Sequence, residues 1–203
     1  MNRWLLVLIL LAGVYLNIQT EAGESSMEKA TFGAGCFWGV EKVFGDLPGV
    51  LSTQVGYTGG ALKNPTYEQI CNSSTGHAEA IEITYDPKAV EYAKLLKIYW
   101  HNIDPTVENA QFVDHGSQYR SAIFYHNEAQ KKAAEQSKFD LAASKRFGNA
   151  PIMTEIAAAA PFYPAEDHHQ KYYKKSPARY NMYHNNTGRE EFKGRFWGKE
   201  EHE

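Results

Sequence analysis

The sequence predicts an α+β fold, a two-layer sandwich in which helices cover a mixed β-sheet around a ferredoxin-like core. Three observations carry this. Five segments read as strands: Lys29 to Ala34, Val50 to Tyr57, His77 to Tyr85, Ser121 to Tyr125 and Ile152 to Ala158. Three segments carry helical apolar spacing: the run after Cys36, Val90 to Ile103, and a stretch from Asn127 to about Phe147. The two kinds mix without the strict strand–helix alternation of a doubly wound sheet. At 203 residues the chain suits one domain with a full hydrophobic core.

Each element has a local cause. Val40, Val43, Phe44 and Leu47 recur at helical spacing, and Asp46, Pro48 and Gly49 stop that helix. Gly59-Gly60 and Asn64-Pro65 mark a long loop, followed by one helical turn over Tyr67 to Cys71. Asp86-Pro87 ends the His77 strand. Tyr92, Leu95, Leu96, Tyr99 and Trp100 make one apolar stripe, closed by Asp104-Pro105. Glu108 to Gln118 reads as a polar, largely solvated loop, and Asn127 as a helix N-cap. Pro164 to Lys174 reads as a short helix rich in His and Tyr. From about Ser176 the chain is polar and reads as an irregular tail, with Phe192, Phe196 and Trp197 able to dock.

Residues 1–22 stand apart. Met1-Asn2-Arg3 precedes an almost unbroken apolar run from Trp4 to Leu16, and Thr20-Glu21-Ala22 offers a small residue for cleavage. This is the pattern of a secretory signal peptide cut after Ala22, which makes residues 23–203 the mature domain and the protein secreted; a retained signal anchor is the alternative. The net charge of −3 gives no argument for nucleic acid.

Gly33-Ala34-Gly35-Cys36-Phe37-Trp38-Gly39 is the chemically distinctive stretch. It puts Cys36 at the first turn of a helix, where free N–H groups and the helix dipole favour an anion. That placement predicts a lowered thiol pKa and a nucleophilic Cys36. A second candidate comes from the alternation after His77. Glu79 falls on the face of Ile81 and Ile83, where lost hydration raises a carboxyl pKa and keeps it protonated as a general acid. The blander alternatives are a core cysteine and a half-buried or paired glutamate.

Two classes of Cys chemistry fit. In a Cys/His hydrolase His77, His101 or His115 would serve as base, yet no spacing selects one of them. The other class is redox chemistry at sulfur. No metal is expected: His168 and His169 are adjacent, and Cys36 and Cys71 lack ligand spacing. In a secreted chain those two cysteines would by default form a disulfide. Asn72 and Asn185 each open a glycosylation sequon.

Six separated motifs arbitrate. Gly35-Cys36-Phe37-Trp38-Gly39, Gly56-Tyr57-Thr58-Gly59-Gly60, Asn64-Pro65-Thr66-Tyr67, Thr75-Gly76-His77-Ala78-Glu79-Ala80, Asp114-His115-Gly116-Ser117-Gln118-Tyr119-Arg120-Ser121 and Phe162-Tyr163-Pro164-Ala165-Glu166-Asp167-His168-His169-Gln170 together resemble type A peptide methionine sulfoxide reductases, from about Lys29 to about Tyr173. The resemblance implies reduction of the S epimer of methionine sulfoxide, free or in proteins, by a monomer with no cofactor. It implies Cys36 as nucleophile, Glu79 as the acid, Tyr67 and Tyr119 as hydroxyls bonded to the sulfoxide oxygen, Asp114 as a polar pocket residue, and Phe37 and Trp38 as the wall around the methyl group. Many relatives carry resolving cysteines in the tail; here none follows Cys71. An external thiol (glutathione, glutaredoxin or thioredoxin) is therefore the expected reductant, with Cys71 as resolver the alternative.

Overall fold

The computed structural model describes residues 27–72 and 74–198. The leader assigned to residues 1–22 lies outside them. In chain order the main elements are β1 (Glu28–Ala34), α1 (Phe37–Gly45), β2 (Val50–Thr58), α2 (Tyr67–Asn72), β3 (Ala78–Tyr85) and α3 (Tyr92–His101). A small hairpin of β4 (Ala110–Gln111) and β5 (Asp114–His115) and a 3-10 turn (Ser117–Tyr119) lead into β6 (Ser121–Tyr125) and α4 (Glu128–Ala143). Then come β7 (Glu155–Ala158), β8 (Tyr163–Pro164), α5 (Tyr172–Lys175), α6 (Pro177–Asn186) and α7 (Arg189–Phe196).

The large sheet has the order β7-β6-β1-β3-β2-β8. Every pairing in it is antiparallel except β6 with β7, which is parallel. The central four strands therefore run fourth, first, third, second, the split β-α-β arrangement of a ferredoxin-like core. Antiparallel β3 fills the gap that the β1-α1-β2 crossover leaves. Helix α1 lies on β2 and β3, α3 on β1, and α4 on β6 and β7.

The pleat sorts the side chains. Ala30, Phe32 and Ala34 of β1, Ile81, Ile83 and Tyr85 of β3 and Ile123 of β6 join the helix residues Phe44, Leu95, Leu96 and Tyr99 in one core. Ala78, Ala122 and Phe124 form a smaller cluster. Phe32 is at the centre of the large core, its ring centroid 4.9 Å from Tyr99 and 5.6 Å from Phe44. The Tyr99 hydroxyl donates to the Gly33 carbonyl at 3.1 Å, tying α3 to the end of β1, two residues before Cys36.

Three expectations are corrected. Pro164 to Lys174 is not a helix: it is the edge strand β8, a run of turns and the four-residue α5. Its polar side chains are committed elsewhere. The Gln170 amide accepts from Val55 N–H (3.0 Å) and donates to Val55 C=O (2.8 Å), standing in for a strand neighbour of β2. Lys171 adopts a left-handed φ of 52°, which breaks any helix there. The loop from Glu108 to Gln118 is anchored rather than loose. Gln111 is fully buried, donating to Asp104 C=O and accepting from Asp104 N–H, both at 2.8 Å.

The segment after Ser176 is also not irregular; it forms α6 and α7. Pro177 opens α6 at its first position, where no amide is missed. Polar composition is a poor guide here because one of the segment's arginines, Arg189, is sealed inside the protein. The three tail aromatics do dock: Phe192, Phe196 and Trp197 have ring centroids 5.9, 5.0 and 6.3 Å from Phe147.

The centre of the core supplies a first test. Phe32→Ala should lower unfolding free energy by about 3–5 kcal/mol, read from denaturant titration. A change under about 1 kcal/mol would show that the stacked core collapses around the gap.

Candidate active site

Cys36 occupies the N-cap position of α1, with φ −54° and ψ 122°, and is 9% exposed. The turn before it needs glycine: Gly35 has φ +78°, and a Cβ there would stand 2.5 Å from the Gln111 side chain. Behind the helix start lies Glu79, 1% exposed, on the face of β3 that the alternation predicts. Its Oε2 accepts the Phe37 N–H at 3.1 Å, so one of the helix's unpaired amides is satisfied by the candidate acid.

Burial pushes the Glu79 carboxyl up to about 8, with the Asp114 charge adding to it; the Phe37 N–H and the Cys36 thiol pull the other way and lose. Glu79 is thus a protonated acid at neutral pH. For Cys36 the structure corrects the sequence-based expectation. Burial first, then the carboxyls of Glu79 and Asp114, raise the thiol well above its ordinary range, although the Trp38 N–H and the Tyr183 hydroxyl favour the thiolate. The helix start is real but is outweighed, because a dipole end counts for less than desolvation beside two acids. The resting pair is a thiol next to a carboxylic acid.

Tyrosines ring this pair. Burial, with Glu79 second for Tyr119 and a hydrogen bond to Cys71 second for Tyr67, keeps both hydroxyls protonated. Asp114, on β5, has its carboxyl raised by burial and accepts the Tyr183 hydroxyl at 2.5 Å. Tyr183 comes from α6 and was not foreseen as a site residue.

The aromatic wall divides in two. Trp38 is half-buried, while Phe37 is 1% exposed and backs the site as part of the core. Tyr172 stacks on Trp38 at 3.8 Å with planes 6° apart, and Tyr183 meets it edge-on at 6.1 Å. The Trp38 indole N–H donates to His169 Nδ1 at 3.1 Å. Indole is only a donor, so that nitrogen carries no proton and His169 is the neutral Nε2–H form. Burial drives its pKa down to about 4, which keeps it so. Glu166 accepts the Tyr57 hydroxyl and the Tyr67 amide, both at 2.9 Å, and so fixes the start of α2.

The hydrolase reading loses its base. Both ring nitrogens of His77 are engaged, with Gly60 N–H at 3.1 Å and Leu62 C=O at 2.7 Å. His101 is stacked against Trp197 at 3.9 Å, and His115 is exposed. Cys36 and Cys71 are both free thiols, so the default disulfide is absent. A cleft of about 430 Å³ between α3, α4 and Trp197 is lined by His101 but by neither cysteine and not by Glu79.

This corner of the molecule presents a thiol and a transferable proton to one small partner, which is the work of a thiol-based oxidoreductase. Comparison with known proteins makes the class specific. Residues 28–201 match the family described as Peptide methionine sulfoxide reductase. Peptide methionine sulfoxide reductase MsrA of Bacillus licheniformis is 52% identical over 176 residues, covering 87% of this chain and 97% of that protein. Among solved structures, methionine sulfoxide reductase A of Corynebacterium diphtheriae is similar with TM-score 0.67 and 38% identity, covering 76% of this chain and 77% of that one. Reduced Mxr1 of Saccharomyces cerevisiae gives TM-score 0.68 at 31% identity, covering 75% and 87%. The chain belongs to the peptide methionine sulfoxide reductase family. It is an oxidoreductase that reduces methionine sulfoxide to methionine.

Glu79→Gln keeps the shape and removes the acid. It should slow sulfoxide reduction about 10²–10⁴-fold, measured by methionine release. In the parent, that step should weaken as pH rises through about 8, where Glu79 loses its proton. Stability has a matching sign. The folded pKa lies above the unfolded one, so the contribution of Glu79 is full below pH about 4.5 and is lost as pH climbs to about 8. The Gln variant lacks that loss, so its stability relative to the parent should grow across this window in denaturant titrations.

Proposed function

We propose that Cys36 and Glu79 carry out the reduction together. The Cys36 sulfur attacks the sulfoxide sulfur while Glu79 gives its proton to the oxygen, which is a poor leaving group until protonated. The protonated oxygen moves from the substrate sulfur to the Cys36 sulfur as the transient S–S bond breaks, methionine departs, and the enzyme is left as Cys36 sulfenic acid. The substrate sulfur gains two electrons and the cysteine sulfur loses two. The thiol proton released on attack restores the Glu79 carboxylic acid, which the contact between the two groups favours.

The supporting roles follow from position. Tyr67 and Tyr119 stay protonated and can donate to the sulfoxide oxygen. Trp38, braced by His169 and Tyr172, lines the place of the S-methyl group with Phe37 behind it. Asp114, capped by Tyr183, is the polar side. We assign the S epimer as substrate. The observation that carries this reading is the buried thiol beside a buried, protonated carboxyl.

The sulfenic acid needs two thiols to return to Cys36: the first forms a mixed disulfide and expels water, and the second releases the enzyme. No cysteine follows Cys71, which supports an external thiol such as glutathione, glutaredoxin or thioredoxin. We also infer export through the secretory pathway. The family match begins at residue 28, which leaves the apolar Trp4–Leu16 run and the Ala22 cleavage site outside it. Among the described residues no helix is long and apolar enough to cross a membrane.

Incubation with the separated sulfoxide epimers and dithiothreitol tests the reading. Methionine should form from the S epimer, and Cys36→Ser should abolish it; ester cleavage without methionine would instead restore the hydrolase. Cys71→Ser should leave turnover with dithiothreitol intact. Loss of turnover with a normal first half-reaction would make Cys71 the resolver.

A further inference from the structure

The geometry points to Arg189 as the positioning residue that supplies the counter-charge for Cys36, a role the proposed mechanism has not used and on whose reading of Cys36 it rests. Arg189 is the first residue of α7 and is 1% exposed. A guanidinium remains charged even when buried, and a buried cation without an anion costs several kcal/mol. Yet among the described residues its guanidinium hydrogen-bonds to neutral carbonyls alone: Ala34 C=O at 3.3 Å and Asn102 C=O. Its Nε has no partner among the described residues. The Phe112 ring lies across it at 4.8 Å.

The guanidinium is wedged beneath the Cys36 turn. A Cβ on Gly39 would come within 3.0 Å of its terminal nitrogen, and one on Gly35 within 3.8 Å. The glycines on either side of Cys36 thus leave room for a charge as well as for a turn. The groups that face this cation and can become anions are Cys36, Asp114 of β5, and Tyr180 and Tyr183 of α6. Those that face Cys36 are Glu79 of β3, Asp114 and Tyr183, with Tyr119 of the 3-10 turn alongside. None of these groups is a cation; the cation beside the turn is Arg189. Two carboxyls and burial hold the thiol protonated, and Arg189 opposes them. When Cys36 gives up its proton in the attack, the new negative charge forms against a cation already in place and already dry. Such a preset charge needs no solvent to reorganise.

The test reads Cys36 directly and needs no sulfoxide. Iodoacetamide alkylation of Cys36 across pH, followed by mass spectrometry in a Cys71→Ser background, gives the thiol midpoint. Arg189→Gln should raise that midpoint by about one unit, so that alkylation below it slows about tenfold. Arg189→Lys should restore most of the difference, because it returns the charge without the planar fork. Equal midpoints in the Arg, Lys and Gln proteins, even with slower turnover in the variants, would overturn the inference and leave Arg189 as a structural brace. Should the Arg189 variants fail to fold, Gly39→Ala serves instead. Its Cβ displaces the guanidinium from the turn and should raise the midpoint in the same direction; an unmoved midpoint refutes the proposal. Methionine release, measured separately, reports on the sulfoxide chemistry, so failure of one reading is distinct from failure of the other.

Discussion

The Phe37 amide and the Glu79 carboxyl meet at 3.1 Å inside the protein, and much of the remaining architecture serves that contact. A helix start has amides to satisfy, and a buried acid has lone pairs to satisfy. Each solves the other's problem, at a place that also carries the thiol. A stronger set of donors would ionise Glu79 and end its use as an acid. With a single amide, burial wins and the proton stays. The strength of the acid is therefore set by how few hydrogen bonds the fold grants it.

The same economy governs the aromatic side. Trp38 is only half-buried, so burial alone does not lock it. It is held from its other sides: the indole N–H on His169 and the ring plane on Tyr172. His169 can accept that proton only while neutral, and its burial ensures this. A charged imidazole would have no lone pair for the indole N–H and would free the tryptophan. Glu166 then keeps Tyr67 in place through the backbone rather than through its hydroxyl, which meets Cys71.

Sequence pattern exposed the parts of this arrangement that depend on local periodicity. The alternation after His77 put Glu79 on the buried face, and the apolar spacing after Cys36 put the cysteine at a helix start. Both hold. What pattern could not show was the balance between elements. Pattern predicts an acidic Cys36 because local sequence contains only its own helix. The opposing carboxyls arrive from β3 and β5, and their proximity is a property of the sheet and hairpin. Gln170 was read as part of a helix because a side chain that imitates a strand leaves no period. The tail was read by its charges, and charge normally means solvent. The signal available was the mixture itself: Tyr180, Tyr183, Phe192, Phe196 and Trp197 are more aromatic rings than an unattached segment would carry.

The tail also changes what the fold must be for. In a chain whose C-terminal segment contains no cysteine, α6 and α7 bring no thiol to the reaction, yet they are not spare. They deliver Tyr183 to Asp114 and Arg189 to the underside of the Cys36 turn. The sheet and α1 alone would hold a thiol and two carboxyls in a dry corner, an arrangement biased against forming any anion. The tail adds a cation and a hydroxyl that favour it. The Glu79 proton is thus held mainly by burial in the core, while the tail adds groups that act on Cys36, so the two touching groups are tuned from different elements.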